Sequence, residues 1–210
     1  MAAEQAVAER DEGAATKLRR FMDETAPSAG RASASPRFGP PALTDLFAYW
    51  NDLPRRDGMP DAADFDPLTL MQWLPDMTMA SLNSPDEMIF RLVGTRVAER
   101  MTHDPTGTNM LDLLSAETRR QVARDMHEIG MRPCGYHARY MNVYGSGRVS
   151  HVQSIYLPLR APVGQPCRLI AVHAPEEALE YQRPADLTIC ATSIDEIVWI
   201  DVGYGTPETA

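Results

Sequence analysis

The 210-residue chain is 44% hydrophobic, enough to bury one substantial core, and its formal charge of −9 lies wholly beyond residue 42: residues 1–42 balance six basic against six acidic side chains, while residues 43–210 set 14 against 23. An acidic domain excludes the counterion-releasing basic face that a nucleic-acid partner needs, and no apolar run reaches the roughly 18 residues of a membrane span or makes the uncharged core of a signal peptide. The expectation is a soluble, cytoplasmic protein, with Cys134, Cys167 and Cys190 too scattered for a disulfide framework or a paired-cysteine zinc site, and Lys17 the only lysine for a Schiff base or phosphate loop.

Residues 1–42 read as a flexible extension. A helix is expected within 3–24, where Leu18, Phe21 and Met22 give a modest apolar stripe, and residues 25–42, TAPSAGRASASPRFGPPA, have the composition of a linker. A folded domain is expected over 43–175. It opens with LTDLFAYWNDLP, which puts Leu43, Leu46, Phe47 and Trp50 on one helical face, with Thr44 or Asp45 as cap and Pro54 as stop. DFDPLTLMQWLP then offers Asp66 as N-cap and Pro67 at the first helical position, followed by Leu68, Met71 and Trp73. Capping accounts for Asp66 without chemistry, so the pair Asp64 and Asp66 is not read as catalytic.

Residues 77–83 and 87–94 read as two strands joined by Ser84, Pro85 and Asp86. Thr95 is placed to cap a short helix through Met101. LDLLSAETRRQVARDMHEIG predicts a longer helix restarted at Ser115 and ended by Gly130, with Val122, Met126 and Ile129 on its apolar face. Beyond Pro133 the period becomes two, and GYHARYMNV, RVSHVQSIYLPLRA and CRLIAVHA predict three antiparallel strands. Centring the first turn on Gly145 and Ser146 sets His151 opposite Tyr140, away from His137. Residues 176–210 form an extension whose segment 196–203, EIVWIDVG, is a further strand available to a sheet edge or a partner.

The order of these elements, and the residues at their joints, resemble a PAS domain, and more narrowly a bacterial family of small single-PAS proteins. The resemblance rests on Trp50, Leu53, Gly58, Pro60, Asp64, Phe65, Asp66, Pro67, Leu74 and Pro75, on Phe90 to Thr95 (FRLVGT), and on Thr106-Gly107 followed by Met110 to Leu114 (MLDLL). It covers about residues 43–175. His103 stands near a position where the family commonly has glycine. The resemblance implies an α+β fold, a five-stranded antiparallel sheet with helices covering one face, plus an N-terminal helix and a flexible tail. It also implies a non-enzymatic sensory or regulatory module in signalling, acting by small-ligand binding or protein contact. The segment FRLVGTRVAERMTHDPTGTNMLDLL then becomes the wall of a pocket, since it lacks both the glycine-rich phosphate cradle with its lysine and a Gly-x-Ser-x-Gly elbow.

The expected pocket wall is Phe90, Leu92, Met101, Met110, Leu113, Tyr140 and Tyr156, with Arg91 or Arg139 orienting a polar group of a small apolar or amphipathic ligand. The resemblance also implies a homodimer or protein partner, with Phe47 and Trp50 on the contacting helix. No cofactor is specified: the flavin-adduct run Asn-Cys-Arg-Phe-Leu is missing, and His103 and His127 are the candidates for haem ligation. His127, His137, His151 and His173 lack local metal-ligand spacing, so no metal site is expected. Cys134 has no His or Asn nearby in sequence to activate it. Two other readings stand beside this one: a hydrolase using His151 or His173 with a carboxylate, and a nucleotide second-messenger site on Arg119, Arg120 and Arg124.

Overall fold

The computed structural model describes residues 36–56, 59–101, 103–143, 148–176, 179–180 and 191–207. The helix expected within 3–24, most of the linker and Cys190 lie outside them. The end of the stretch read as linker is built into the fold: Phe38 meets Phe47 and His137 edge-on at 5.8 and 5.4 Å.

Helix α1 spans Pro41–Asp52, two residues earlier than the pattern predicts. Proline at the first helical position gives up only an N–H that has no partner there, so α1 needs no side-chain cap from Thr44 or Asp45. Asp45 instead accepts the indole N–H of Trp73 at 2.8 Å. Leu43, Leu46, Phe47 and Trp50 are all buried, and Trp50 Nε1 donates to the Pro158 carbonyl at 2.8 Å. Phe47 and Trp50 are therefore core residues of the protomer rather than partner anchors, because α1 lays its apolar face on the chain's own sheet.

A two-residue hairpin follows, β1 (Arg55–Arg56) with β2 (Met59–Pro60), tied to the sheet where Arg160 grips Asp61 through Nε and Nη2 at 2.6 and 2.9 Å. The helix expected from Pro67 is instead two 3-10 turns, Pro67–Leu70 and Leu74–Asp76, since the second proline at 75 leaves too little room for α-helical bonding. Asp66 caps the first turn, accepting from Leu68 N at 2.9 Å. Leu68 and Met71 point to solvent, 64% and 68% exposed.

The main sheet comprises β3 (Met77–Ser84), β4 (Glu87–Val93), β5 (Gly135–Val143), β6 (Arg148–Leu159), β7 (Arg168–Pro175), the short β8 (Leu179–Glu180) and β9 (Ala191–Ile200). All pairings are antiparallel, in the order β4-β3-β7-β6-β5-β9, with β8 beside β6. Between β4 and β5 the chain crosses the inner face as α2 (Thr95–Met101), a 3-10 turn (Met110–Leu113) and α3 (Ala116–Met131). Ser115 caps α3, accepting from Thr118 N at 3.3 Å. Gly130 lies inside the last turn, and Arg132 is the C-cap.

Gly94 explains the Gly-Thr joint: a Cβ there would collide with the carbonyl oxygens of Leu74 and Pro75, while Gly94 N donates to Met77 O at 2.8 Å. Gly107 serves differently, holding φ at +85° in the turn that returns the chain to β4, with its N–H on the Phe90 carbonyl at 2.9 Å. His103 Nδ1 lies 2.9 Å from the Met101 carbonyl in the bend before that turn.

The α+β class and the five antiparallel strands stand, with two differences. First, both faces are covered: α2 and α3 lie on the inner face, and α1 packs on Ile155, Leu157, Leu159, Ile170 and Val172 on the other. Second, β9 adds a sixth long strand beside β5. It begins five residues before the predicted segment and ends at Ile200, where Asp201 Oδ1 accepts from Gly203 and Gly205 at 2.8 and 2.9 Å and turns the chain. Val202 and Tyr204 then bury against the α1 side. The β5–β6 register is also one residue from that predicted: Val143 pairs with Val149, so His151 faces Met141 and Tyr140 faces Val152. Among the described residues no helix is long and apolar enough to cross a membrane.

Candidate functional site

A cavity of about 100 Å³ lies between the inner face of the sheet and the α2, 3-10 and α3 layer. From the expected wall it gathers Phe90, Met101, Met110, Leu113, Tyr140 and Tyr156. Tyr136, Ala138, Tyr140 and Asn142 reach it at every second position of β5, and Val152 and Tyr156 reach it from the same face of β6. Helix α2 contributes Val97, Arg100 and Met101, which share a face at i, i+3 and i+4, and α3 contributes Val122 and Met126 in the same way.

Leu92, Arg91 and Arg139 are not on this wall. A β-bulge in the β3–β4 ladder pairs Ala80 with Phe90 and Met79 with Leu92, leaving Arg91 as the extra residue. The alternation flips there, and Leu92 follows Met79 to the outer side of the sheet while Arg91 Nε reaches Ser81 Oγ at 2.5 Å. Arg139 joins an outer-face network, binding Glu176 through Nε and Nη2 at 3.0 and 2.8 Å and Asp195 at 3.2 Å. His151 Nδ1 is 3.0 Å from the same Asp195 oxygen, and Gln153 donates to Glu176 at 2.7 Å. These contacts hold Glu176 ionised, its pKa drawn to about 2 by the Arg139 and Gln153 hydrogen bonds.

The charged group at the cavity is Arg100, which the sequence reading overlooked. Its Nη1 donates to Asp76 Oδ1 at 2.7 Å, and Arg96 Nη1 takes the other carboxylate oxygen at 2.5 Å. Beside it, His173 bridges Thr78 Oγ1 (2.8 Å, Nε2) and Ser154 Oγ (2.8 Å, Nδ1), and the Tyr140 hydroxyl is 3.0 Å from Ser154 Oγ. Burial, helped by Arg100 and opposed by Asp76, pulls the His173 pKa down to about 3, so the imidazole is neutral. Across the cavity Tyr136 donates to Asp125 at 3.2 Å, and burial raises the pKa of both.

Ser154 and His173 have the separation of a nucleophile and base, yet Ser154 is fully buried and His173 is too weak a base to activate it near neutrality. Cys134 is also fully buried, its thiol pushed up to about 12 by desolvation, which makes it inert. Arg119 spans Asp112 and the Asp86 carbonyl, which makes it a strut between the 3-10 turn and the β3–β4 hairpin. No cluster of three or more potential metal ligands occurs among the described residues. Helix α2 carries no cysteine, so the covalent flavin adduct has no thiol there.

A family model described as PAS domain matches residues 39–173. Among solved structures, a light-oxygen-voltage domain studied with a flavin analogue is similar at 15% identity and TM-score 0.41, over 55% of this chain and 88% of that one. An RNA-binding light-oxygen-voltage receptor shares 14% identity at TM-score 0.41, over 81% of this chain and 53% of that one. The PAS domain of an HTR-like protein from Haloarcula marismortui shares 14% identity at TM-score 0.34, over 51% and 90%. No curated protein matches the chain.

Proposed function

The chain belongs to the PAS domain family of sensory modules, and we propose that it is a non-enzymatic regulatory protein that reads the occupancy of the cavity between its sheet and α2–α3. The observation that carries this is the cavity itself: about 100 Å³, walled mainly by Phe, Met, Leu, Val and Tyr, with a few convergent polar groups. Methionines from α2, the 3-10 turn and α3 line it, and their flexible thioethers let these elements repack around a small guest. Arg100 and Arg96 connect α2 to Asp76 at the foot of β3, so a guest that shifts α2 also strains the start of the sheet. The output is contact with another protein or with a second copy, in the cytoplasm. With Phe47 and Trp50 in the protomer's own core, that contact falls elsewhere on the surface.

Native mass spectrometry of the full chain tests both parts. The expected spectrum shows a small-molecule adduct on a dimer, with the adduct lost in Ala138→Leu, whose larger side chain fills the cavity. A bare monomer at high concentration would contradict the reading.

A further inference from the structure

The outer face of the sheet is only partly covered. Helix α1 lies over Ile155, Leu157 and Leu159 of β6 and Ile170 and Val172 of β7. The neighbouring surface, on β5 and β9, carries His137, Arg139 and Met141 opposite Val198, Glu196 and Ser193, with Val198 41% exposed. Strand β9 falls beyond the family-matched stretch, so this half of the surface lies outside the shared domain. Three carboxylates, Glu176, Asp195 and Glu196, stand there against Arg139 and His151. Arg139 is held by Glu176 and Asp195, and Glu196 is exposed beside them. The chain enters the described fold at the same place. Phe38 sits edge-on against His137, and a Cβ on Gly39 would lie 3.6 Å from Gln153 Nε2, so the residues before Pro36 join the fold beside the uncovered surface. Val198 is across the ladder from His137, about 5 Å away, whereas the stretch from Met22 to Pro36 can span up to roughly 45 Å.

We propose that residues 17–22 of the same chain, Lys17 to Met22 (KLRRFM), dock on this β5–β9 surface. At helical spacing Leu18, Phe21 and Met22 share one face, Lys17 and Arg19 flank it, and no acidic residue interrupts the run. That apolar face covers Val198 and Met141, and the flanking cations meet Asp195 and Glu196. A second copy would bring the same acidic surface, and like charges keep the two apart. The segment instead supplies the opposite sign, at high effective concentration on its own tether. The docking holds whether or not the inner cavity is occupied, and a partner that uses this face displaces the segment first.

Photo-cross-linking in the full chain is the test, with Phe21→p-benzoylphenylalanine as the probe and the cross-linked residues mapped by mass spectrometry. Cross-links are expected within one chain, to residues 137–141 and 193–198. Glu196→Lys should lower their yield roughly twofold to fivefold, the effect of one exposed charge pair, and adding Lys17→Glu with Arg19→Glu should recover it. The recovery also shows that the lysine variant is folded. A mixture of nitrogen-15-labelled and unlabelled chains reports the source, and cross-links of mixed isotope would put a second copy's segment on the face and overturn the proposal. Cross-links that fall elsewhere, for instance on exposed Leu68 and Met71, would overturn it too, as would their absence. So would a yield that ignores Glu196→Lys, or a loss that the double reversal fails to recover.

Discussion

Burial keeps His173 neutral, its pKa drawn down to about 3, with Arg100 adding to the effect and Asp76 opposing it. The unfolded chain takes up this proton near 6.5 and the folded chain does not until far lower, so the contribution of His173 to stability is complete above 6.5 and is lost as pH falls. Below about 4.5 the depressed carboxylate of Glu176 begins to act in the same sense, which leaves pH 6.5 to 4.5 as the window for histidine. Denaturant midpoints measured there should give the wild type a slope about 1.4 kcal/mol per pH unit steeper than His173→Gln. Equal slopes would mean that the imbiber of that proton is another group. The alternation of β5 and β6 made Tyr140 and Tyr156 legible as wall residues, and the same rule applied to β4 found Phe90. It failed one residue later, because an antiparallel bulge leaves no mark in a run as uniformly apolar as EMIFRLV. Arg100 escaped notice for a different reason. Its role depends on Asp76, 24 positions away, and local periodicity carries no information about such a pairing.

At the scale of elements, α1 shows what periodicity settles and what it leaves open. The spacing of Leu43, Leu46, Phe47 and Trp50 identified the buried face, but an apolar stripe is the same whether its cover is the chain's own sheet or another molecule. The structure supplies the cover: Trp50 is 1% exposed and its indole nitrogen is satisfied by Pro158 of β6. Trp50→Ala should therefore cost about 3–5 kcal/mol in unfolding free energy while leaving the native mass of the assembly unchanged. A monomerised but fully stable variant would show that the helix serves a partner instead. The segment after Asp66 was misread as a helix for a complementary reason. Capping and proline signals mark where a turn starts and stops, but the seven residues between Pro67 and Pro75 accommodate 3-10 turns as readily as an α-helix.

At the scale of the whole molecule, the family-matched stretch ends at residue 173, yet the sheet does not. Strand β9 closes the edge of β5 along most of its length, Ile194 and Trp199 pack against the inner core, and Tyr136 meets Trp199 edge-on at 5.0 Å. Ile194 is also part of the cavity wall. A chain ending at residue 190 should expose both the β5 edge and this apolar surface, and it should melt at lower temperature and aggregate where the full chain stays dispersed. A truncated chain with unchanged melting temperature would mean that β9 is dispensable. The proposed function stands on one feature, a site for a small guest between the inner face of the sheet and the α2–α3 layer. Methyl spectra of the full chain labelled with carbon-13 at methionine, titrated with benzene as a small apolar probe, address it most directly. Saturable shifts are expected for Met101, Met110 and Met126, which line the cavity, with Met59 and Met77, buried away from its wall, undisturbed. Saturable shifts that fall on Met59 and Met77 and leave those three methyls unmoved would contradict it.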